Sequence, residues 1–171
     1  MNAVQPVSCN TPRLQAEARR APALAALRNF PRVTPASPPA WAARRDTTGA
    51  KARGYAYERK VGRILAKLCS ENGWKLWDHQ WFVYVSGTDI KYFQPDFIVE
   101  RPGSDNILVE VKLTYVDTTT QCNKYLGYLK LFGLECFSVI AVRNLTPSVL
   151  RGLIVDDFSK ATPGSVWHLW V

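Results

Sequence analysis

Two carboxylates and a lysine stand in or beside apolar stretches of this chain. Asp96 comes directly before Phe97-Ile98-Val99, and Glu110 follows Ile107-Leu108-Val109. A charge in a buried strand is costly unless it is paired or holds a metal ion. Glu110 and Lys112 are two residues apart, so on one strand they project from the same face. Together these three side chains predict metal-assisted hydrolysis of a phosphodiester.

The oxygen ligands of this group predict a hard divalent cation. Asp96, Glu110 and the main-chain carbonyl of Val111 favour Mg²⁺ or Mn²⁺ and leave positions for water and phosphate. Lys112 can hold the attacking water and offset charge that develops on the phosphate. The site requires one strand register. A four-residue loop at 102–105 would put Asp96 on the wrong face, whereas a five-residue loop or a β-bulge would bring it beside Glu110 or Lys112.

A predicted helix at 118–132 carries a polar stripe. Gln121, Tyr125 and Tyr128 are spaced four and three residues apart, so they share one face. Core packing explains many tyrosines on helices, but a glutamine has no apolar role there. We therefore expect Gln121 and Tyr125 to position the substrate by hydrogen bonds to a phosphate or to the site carboxylates, with Lys124 on one flank.

The hydrophobic patterns predict a mixed α/β domain with one sheet. A helix begins near Gly54 and ends at Asn72-Gly73, with its apolar stripe at helical spacing. The second helix ends at Gly133. We expect a strand or hairpin at 74–85 and strands at 91–100, 106–113, 136–143 and 166–171. The strand at 136–143 is apolar on both faces, which indicates a central position.

The positive charge is concentrated at the front of the chain. Residues 1–53 carry nine basic and two acidic side chains, which is +7 of the net charge of +8. Together with several prolines, this predicts an extended, largely irregular arm at 1–52 and a folded domain at 53–171. Such arms bind nucleic acid through phosphate charge. The candidate DNA contacts are Arg44, Arg45, Lys51, Arg53 and Lys124.

Other roles for the arm stay open. A solvated tail, a contact for a protein partner and an organellar transit peptide all fit its composition. The chain has no apolar run of the ~20 residues that span a bilayer, so we expect no membrane association. The four cysteines lack metal-ligand or disulfide-scaffold spacing, which predicts a reducing compartment. His79 and His168 stand alone in the sequence, and we expect structural roles for both.

The assembled pattern resembles the PD-(D/E)XK nuclease superfamily over residues 54–145. The matching features are Glu58 in the first helix, Pro95-Asp96, Glu110-Val111-Lys112, and the pair Gln121 and Tyr125. That pair is similar to the Gln-x-x-x-Tyr motif of the RecB and phage lambda exonuclease branch. The resemblance implies a restriction-endonuclease-like αβββαβ core, divalent-metal dependence and a catalytic set of Asp96, Glu110 and Lys112. It also implies that Glu58 is a further metal ligand, direct or through water.

The leading functional hypothesis is a metal-dependent deoxyribonuclease of phage or mobile-element type, acting in the cytoplasm of a bacterial or phage-infected cell. Its partner would be DNA, and the size also fits a resolvase that acts as a homo-oligomer. One alternative is a non-catalytic nucleic-acid-binding or assembly protein that keeps the fold. Another is an organellar nuclease, located in the matrix, whose front segment is a cleaved transit peptide.

Overall fold

The computed structural model describes residues 33–42, 48–86, 89–145 and 153–169. This part of the chain contains helices α1 (Gly49–Asn72) and α2 (Thr119–Phe132) and a 3-10 turn at Phe158–Lys160. Its strands are β1 (Val33–Ala36), β2 (Lys75–Asp78), β3 (Trp81–Ser86), β4 (Asp89–Phe93), β5 (Phe97–Glu100), β6 (Asn106–Thr114), β7 (Cys136–Asn144), β8 (Ile154–Val155) and β9 (Val166–His168).

The strands form two sheets, so the prediction of a single sheet is wrong. A mixed six-stranded sheet has the order β2-β5-β6-β7-β9-β8, and β1-β3-β4 form a second, antiparallel sheet. In the larger sheet β2, β5 and β6 are antiparallel neighbours, whereas β6, β7 and β9 run parallel. The predicted central position of β7 is confirmed, because it lies between β6 and β9.

The second sheet arises because the predicted strand or hairpin at 74–85 and the predicted strand at 91–100 are each divided between the two sheets. The segment 74–85 becomes β2 and β3, and the segment 91–100 becomes β4 and β5, with the members of each pair in different sheets. Gln94-Pro95-Asp96 makes the second division. Proline has no N–H to donate to a strand ladder, so the chain leaves one sheet there and enters the other.

The helices follow their predicted stripes and stops. The buried residues of α1 are Tyr57, Val61, Leu65 and Cys69. Gly73 ends α1 with a φ of 67° and Gly133 ends α2 with a φ of 90°, left-handed conformations that favour glycine. Gly62 lets α1 approach the sheet closely, because a Cβ there would lie 3.0 Å from the ring of Phe97.

Two apolar layers enclose the six-stranded sheet. One core lies between α1 and the sheet, and the other joins the opposite face of the sheet to α2 and the three-stranded sheet. Strand β6 contributes to both, since Val109 belongs to the first core and Leu108 to the second. A strand buried on both faces has a continuous apolar run rather than an alternating one.

The predicted boundary at residue 52 does not match where the fold begins. Within the expected arm, β1 pairs with β3, and Val33 is fully buried opposite Tyr84. Helix α1 also starts at Gly49, before the predicted Gly54. Residues 1–32 and 43–47 of the arm, which include Arg44 and Arg45, lie outside the described residues. Neither α-helix of the described ranges has the length and apolar character to cross a bilayer.

The contribution of β1 can be measured with two truncated chains. A chain that begins at Val33 keeps β1, and a chain that begins at Thr48 loses it. Complete burial of a valine side chain contributes about 1.5–3 kcal/mol. At about 2–4 °C per kcal/mol for a chain of this size, the shorter protein should melt roughly 3–12 °C lower. Equal melting temperatures by differential scanning calorimetry would show that β1 is dispensable.

Candidate metal centre and active site

The strand registers place three ionisable residues in a row across β2, β5 and β6. Asp78 pairs with Phe97 and Phe97 pairs with Val109. One residue further along these ladders, His79 comes next to Asp96 and Asp96 comes next to Glu110. The loop between β5 and β6 has five residues, 101–105. This length gives the strand register that the predicted metal site requires, with Asp96 beside Glu110.

Glu110 is almost completely buried, with 2 % of its surface exposed. Its Oε1 accepts hydrogen bonds from Lys112 Nζ at 2.6 Å and from Gln121 Nε2 at 2.8 Å. The Gln121 amide also donates to the hydroxyl of Tyr125 at 3.3 Å. Oε2 of Glu110 is buried and has no hydrogen-bond partner among the described residues. The structure therefore brings Lys112, Gln121 and Tyr125 around Glu110 and leaves one carboxylate oxygen for another ligand.

Main-chain hydrogen bonds hold Asp96 between β6 and the turn after β2. Its Oδ2 accepts from the Val111 N–H at 2.8 Å, and its carbonyl accepts from the His79 N–H at 3.0 Å. Gln94 Nε2 donates to the His79 carbonyl at 2.7 Å, which ties the two segments together. The position of Asp96 is thus fixed by the backbone on both sides. A role for the Val111 carbonyl as a metal ligand stays a prediction.

Glu58, His79 and Asp96 form a group that can hold a metal ion. Their ligand atoms all lie within 4.8 Å of one another. The Glu58 carboxylate contacts Nε2 of His79, and Asp78 contacts Nδ1 of the same ring. The resemblance implies Glu58 and Asp96 as ligands, and the structure places both in this group. Glu110 borders it, since its charge acts on Asp96.

His79 is predicted to have a structural role, whereas the structure places its ring beside the predicted ligands Glu58 and Asp96. The imidazole lies at the site because β2 pairs with β5. Since β3 and β4 lie between these two strands in the chain, the sequence does not indicate this pairing. His79 also has a φ of 48°, which is rare for a residue other than glycine and is found at functional sites. The available signal is the polar run Asp78-His79-Gln80 between two apolar strands.

The electrostatics of the group favour a bound cation. Burial raises the pKa of Asp96 from 3.8 to about 7. The negative charges of Glu110 and Glu58 raise this pKa further, whereas the hydrogen bond from the Val111 N–H and the charge of Lys112 lower it. Burial would lower the pKa of Lys112, but the hydrogen bond and charge of Glu110 outweigh it and raise this pKa, so the lysine stays protonated. Clustered carboxylates with an orphaned buried oxygen fit a divalent cation, and an added imidazole is compatible with Mn²⁺.

Three of the candidate DNA contacts fall in the described residues, and all three are exposed. Lys51 and Arg53 lie in the first turns of α1. Lys51 precedes Glu58 by two helical turns on the same side, at an axial distance of about 10 Å. Lys124 lines a cavity of about 650 Å³ together with Lys112 and other residues of the site.

Comparison with protein-family models, curated proteins and solved structures finds no match for this chain.

The raised pKa of Asp96 predicts a pH dependence for the metal-free protein. The native state keeps this proton up to about pH 7, whereas the unfolded chain loses it near the ordinary value of 3.8. The native state then binds the extra proton, so stability falls as pH rises from about 4 to 7, by at most about 1.4 kcal/mol per unit. Asp96→Asn should remove this part of the slope.

Urea unfolding in EDTA at pH 5, 6 and 7 measures the difference between the two proteins. The comparison cancels the titration of all groups that the substitution leaves undisturbed. Parallel stability curves for the wild type and Asp96→Asn would contradict a raised pKa.

Proposed function

We propose that this chain is a divalent-metal-dependent nuclease that hydrolyses DNA phosphodiester bonds. The observation that carries the proposal is the state of Glu110. One oxygen is held by Lys112 and Gln121, and the other is buried without a partner beside Asp96. A buried, unsatisfied acceptor costs about 1–3 kcal/mol, and more when it is charged. This cost has a physical reason if the oxygen serves to hold a cation.

The order of elements supports the resemblance to the PD-(D/E)XK superfamily. Helix α1, strands β2, β5 and β6, helix α2 and strand β7 follow one another as helix, three strands, helix and strand. The strands β3 and β4 are then an insertion between β2 and β5. The motif residues are distributed over these elements as the resemblance implies, with Glu58 on α1, Asp96 before β5, Glu110 and Lys112 on β6, and Gln121 and Tyr125 on α2.

Each protein group has a distinct task in this proposal. Asp96, Glu110, Glu58 and His79 would hold the metal. A bound divalent cation supplies Lewis-acid stabilisation of the phosphate and a water of lowered pKa. The protonated Lys112 offsets negative charge that develops on the phosphate.

Gln121 fixes the orientation of Glu110 and links it to Tyr125. Burial raises the pKa of Tyr125, which keeps its hydroxyl neutral and able to donate a hydrogen bond. This neutral donor can orient a phosphate oxygen without adding charge to the site.

The sequence-independent part of the DNA affinity would come mainly from a different part of the molecule, the basic arm. Residues 54–171 are close to neutral, whereas residues 1–53 carry a net charge of +7. Contacts to phosphate are sequence-independent and position the DNA, so binding and chemistry can be separated by mutation. Lys51, Arg53 and Lys124 would extend the basic contacts of the arm onto the folded domain.

Substitution of the catalytic residues should abolish cleavage and leave DNA binding largely intact. Glu110→Gln and Lys112→Ala should each lower the cleavage rate by roughly 100-fold or more. The first removes the charge of a proposed metal ligand, and the second removes the cation that offsets negative charge on the phosphate. The matched control is Lys130→Ala, an exposed lysine of α2 that pairs with Glu135 at 3.5 Å. The assay uses linear, circular, single-stranded and branched DNA with Mg²⁺, Mn²⁺ or EDTA, and product sizes are followed on gels.

Near-normal cleavage by both catalytic variants would refute the proposed site. DNA binding without cleavage by the wild type, with either metal, would instead favour the non-catalytic nucleic-acid-binding alternative.

The metal set can be tested without activity. Mn²⁺ should raise the melting temperature of the wild type. His79→Asn should weaken Mn²⁺ binding by about 10-fold or more, since loss of even a residue that only hydrogen bonds to a metal ligand has an effect of this size. Asparagine suits the left-handed backbone at this position. The effect on Mg²⁺ should be smaller, because Mg²⁺ prefers oxygen ligands and retains water.

The control variant is His168→Asn at the end of β9, where the ring contacts the Arg143 carbonyl. Thermal-shift titrations measure both metals. Equal Mn²⁺ affinity in the wild type and His79→Asn would exclude the imidazole from the metal set.

A further inference from the structure

A cavity of about 650 Å³ lies against the candidate active site. It is lined by residues of β3, β4, β6 and α2, and it shares Lys112, Gln121 and Tyr125 with the site. Its volume is in the range of pockets that bind small organic molecules. A group bound there would lie next to the Glu110 carboxylate and its lysine.

One wall of the cavity is a preassembled aromatic cluster. The rings of Tyr84 and Tyr128 are 4.2 Å apart at 30°, and their hydroxyls are hydrogen bonded at 2.6 Å. Phe93 packs on Tyr128 at 5.0 Å and on Tyr125 at 5.5 Å. Because Phe93 is only 5 % exposed, it fixes the tyrosines from behind. These aromatic side chains are therefore held in place before any ligand binds.

The charged lining complements a nucleotide. Lys124 supplies an exposed cation, and Lys112 lies beside it in the lining, paired with Glu110 at 2.6 Å. Asp117 directs one carboxylate oxygen to the Thr119 N–H at 2.9 Å. Aromatic rings beside basic groups bind single-stranded nucleic acid, with a base on the ring and the backbone along the cations. In an intact duplex the faces of the bases are covered by neighbouring bases, so the aromatic side chains of the cavity could not stack on them.

We infer that this cavity binds an unstacked nucleobase of single-stranded DNA, directly beside the phosphate that is cut. The inference rests on the proposed nuclease function and narrows its substrate to a single strand, an overhang or a frayed end. Tyr84 and Tyr128 provide the stacking surface, and Lys124 contacts the neighbouring phosphate.

The direct test is binding in the absence of cleavage. The full-length protein is titrated in EDTA against a labelled oligothymidylate, an abasic oligonucleotide of the same length and a blunt duplex, with anisotropy as the readout. Tyr84→Ala and Tyr128→Ala should each weaken oligothymidylate binding by roughly 5- to 150-fold, the usual effect of removing one stacking partner. Binding of the abasic strand and of the duplex should be unchanged.

Tyr84→Phe and Tyr128→Phe are the matched controls, because they keep the ring and remove only the hydroxyl. They should retain base-dependent binding. Equal losses on the oligothymidylate and the abasic strand, or no loss on either, would overturn the inference. This titration needs no cleavage, so it tests the inference separately from the proposed function. Absence of nuclease activity in the cleavage assay would refute the proposed function.

A second measurement needs no substitution. Irradiation of the wild-type protein with a 5-bromouracil oligonucleotide, followed by peptide mass spectrometry, should place the adduct on Tyr84, Tyr125 or Tyr128. An adduct on Trp41 or Trp81 would overturn the inference. Those two rings lie 5.7 Å apart, and Trp41 is 66 % exposed, so they offer a competing stacking surface.

Discussion

The negative charge of Glu110 is the constraint on which the arrangement of the other elements depends. A carboxylate that is 2 % exposed cannot be solvated by bulk water, and an uncompensated ion in a protein interior costs several kcal/mol. Lys112 compensates it from the same strand, whereas Gln121 can do so only if α2 docks over β6. The second core, formed by α2 and the three-stranded sheet, thus holds the helix where the buried charge needs it.

The position of Asp96 explains why the candidate site lies where several strands meet. Asp96 stands at the start of β5, at the point where the chain has just left the smaller sheet. From there it contacts the β6 backbone through the Val111 N–H and also approaches Glu58 of α1. The division of one apolar segment by Pro95 therefore affects the candidate metal group as well as the topology.

The parts of the structure that the sequence predicts are the local ones. The two helices, their glycine stops, the shared face of Glu110 and Lys112 and the central position of β7 follow from residues close together in the chain. The divided strands, the pairing of β1 with β3 and the position of His79 do not, because each depends on strands that meet across an insertion. The residue types mark Asp96, Glu110 and Gln121 as unusual, but only the three-dimensional register brings an imidazole beside Asp96. The nuclease-like core and its chemistry stay proposals, since no comparison tests them.

Gly62 shows how far the geometric demands of this site extend into the core. It lies one turn after Glu58, and its missing side chain lets α1 rest on the ring of Phe97. Phe97 is the neighbour of Asp96 in the chain and packs against the His79 ring, with 5.0 Å between ring centres. A Cβ at 62 would require the Phe97 ring or the helix to shift by a few tenths of an ångström, next to the group of Glu58, His79 and Asp96. A position without a chemical role is thus coupled to the candidate metal group through packing distance alone.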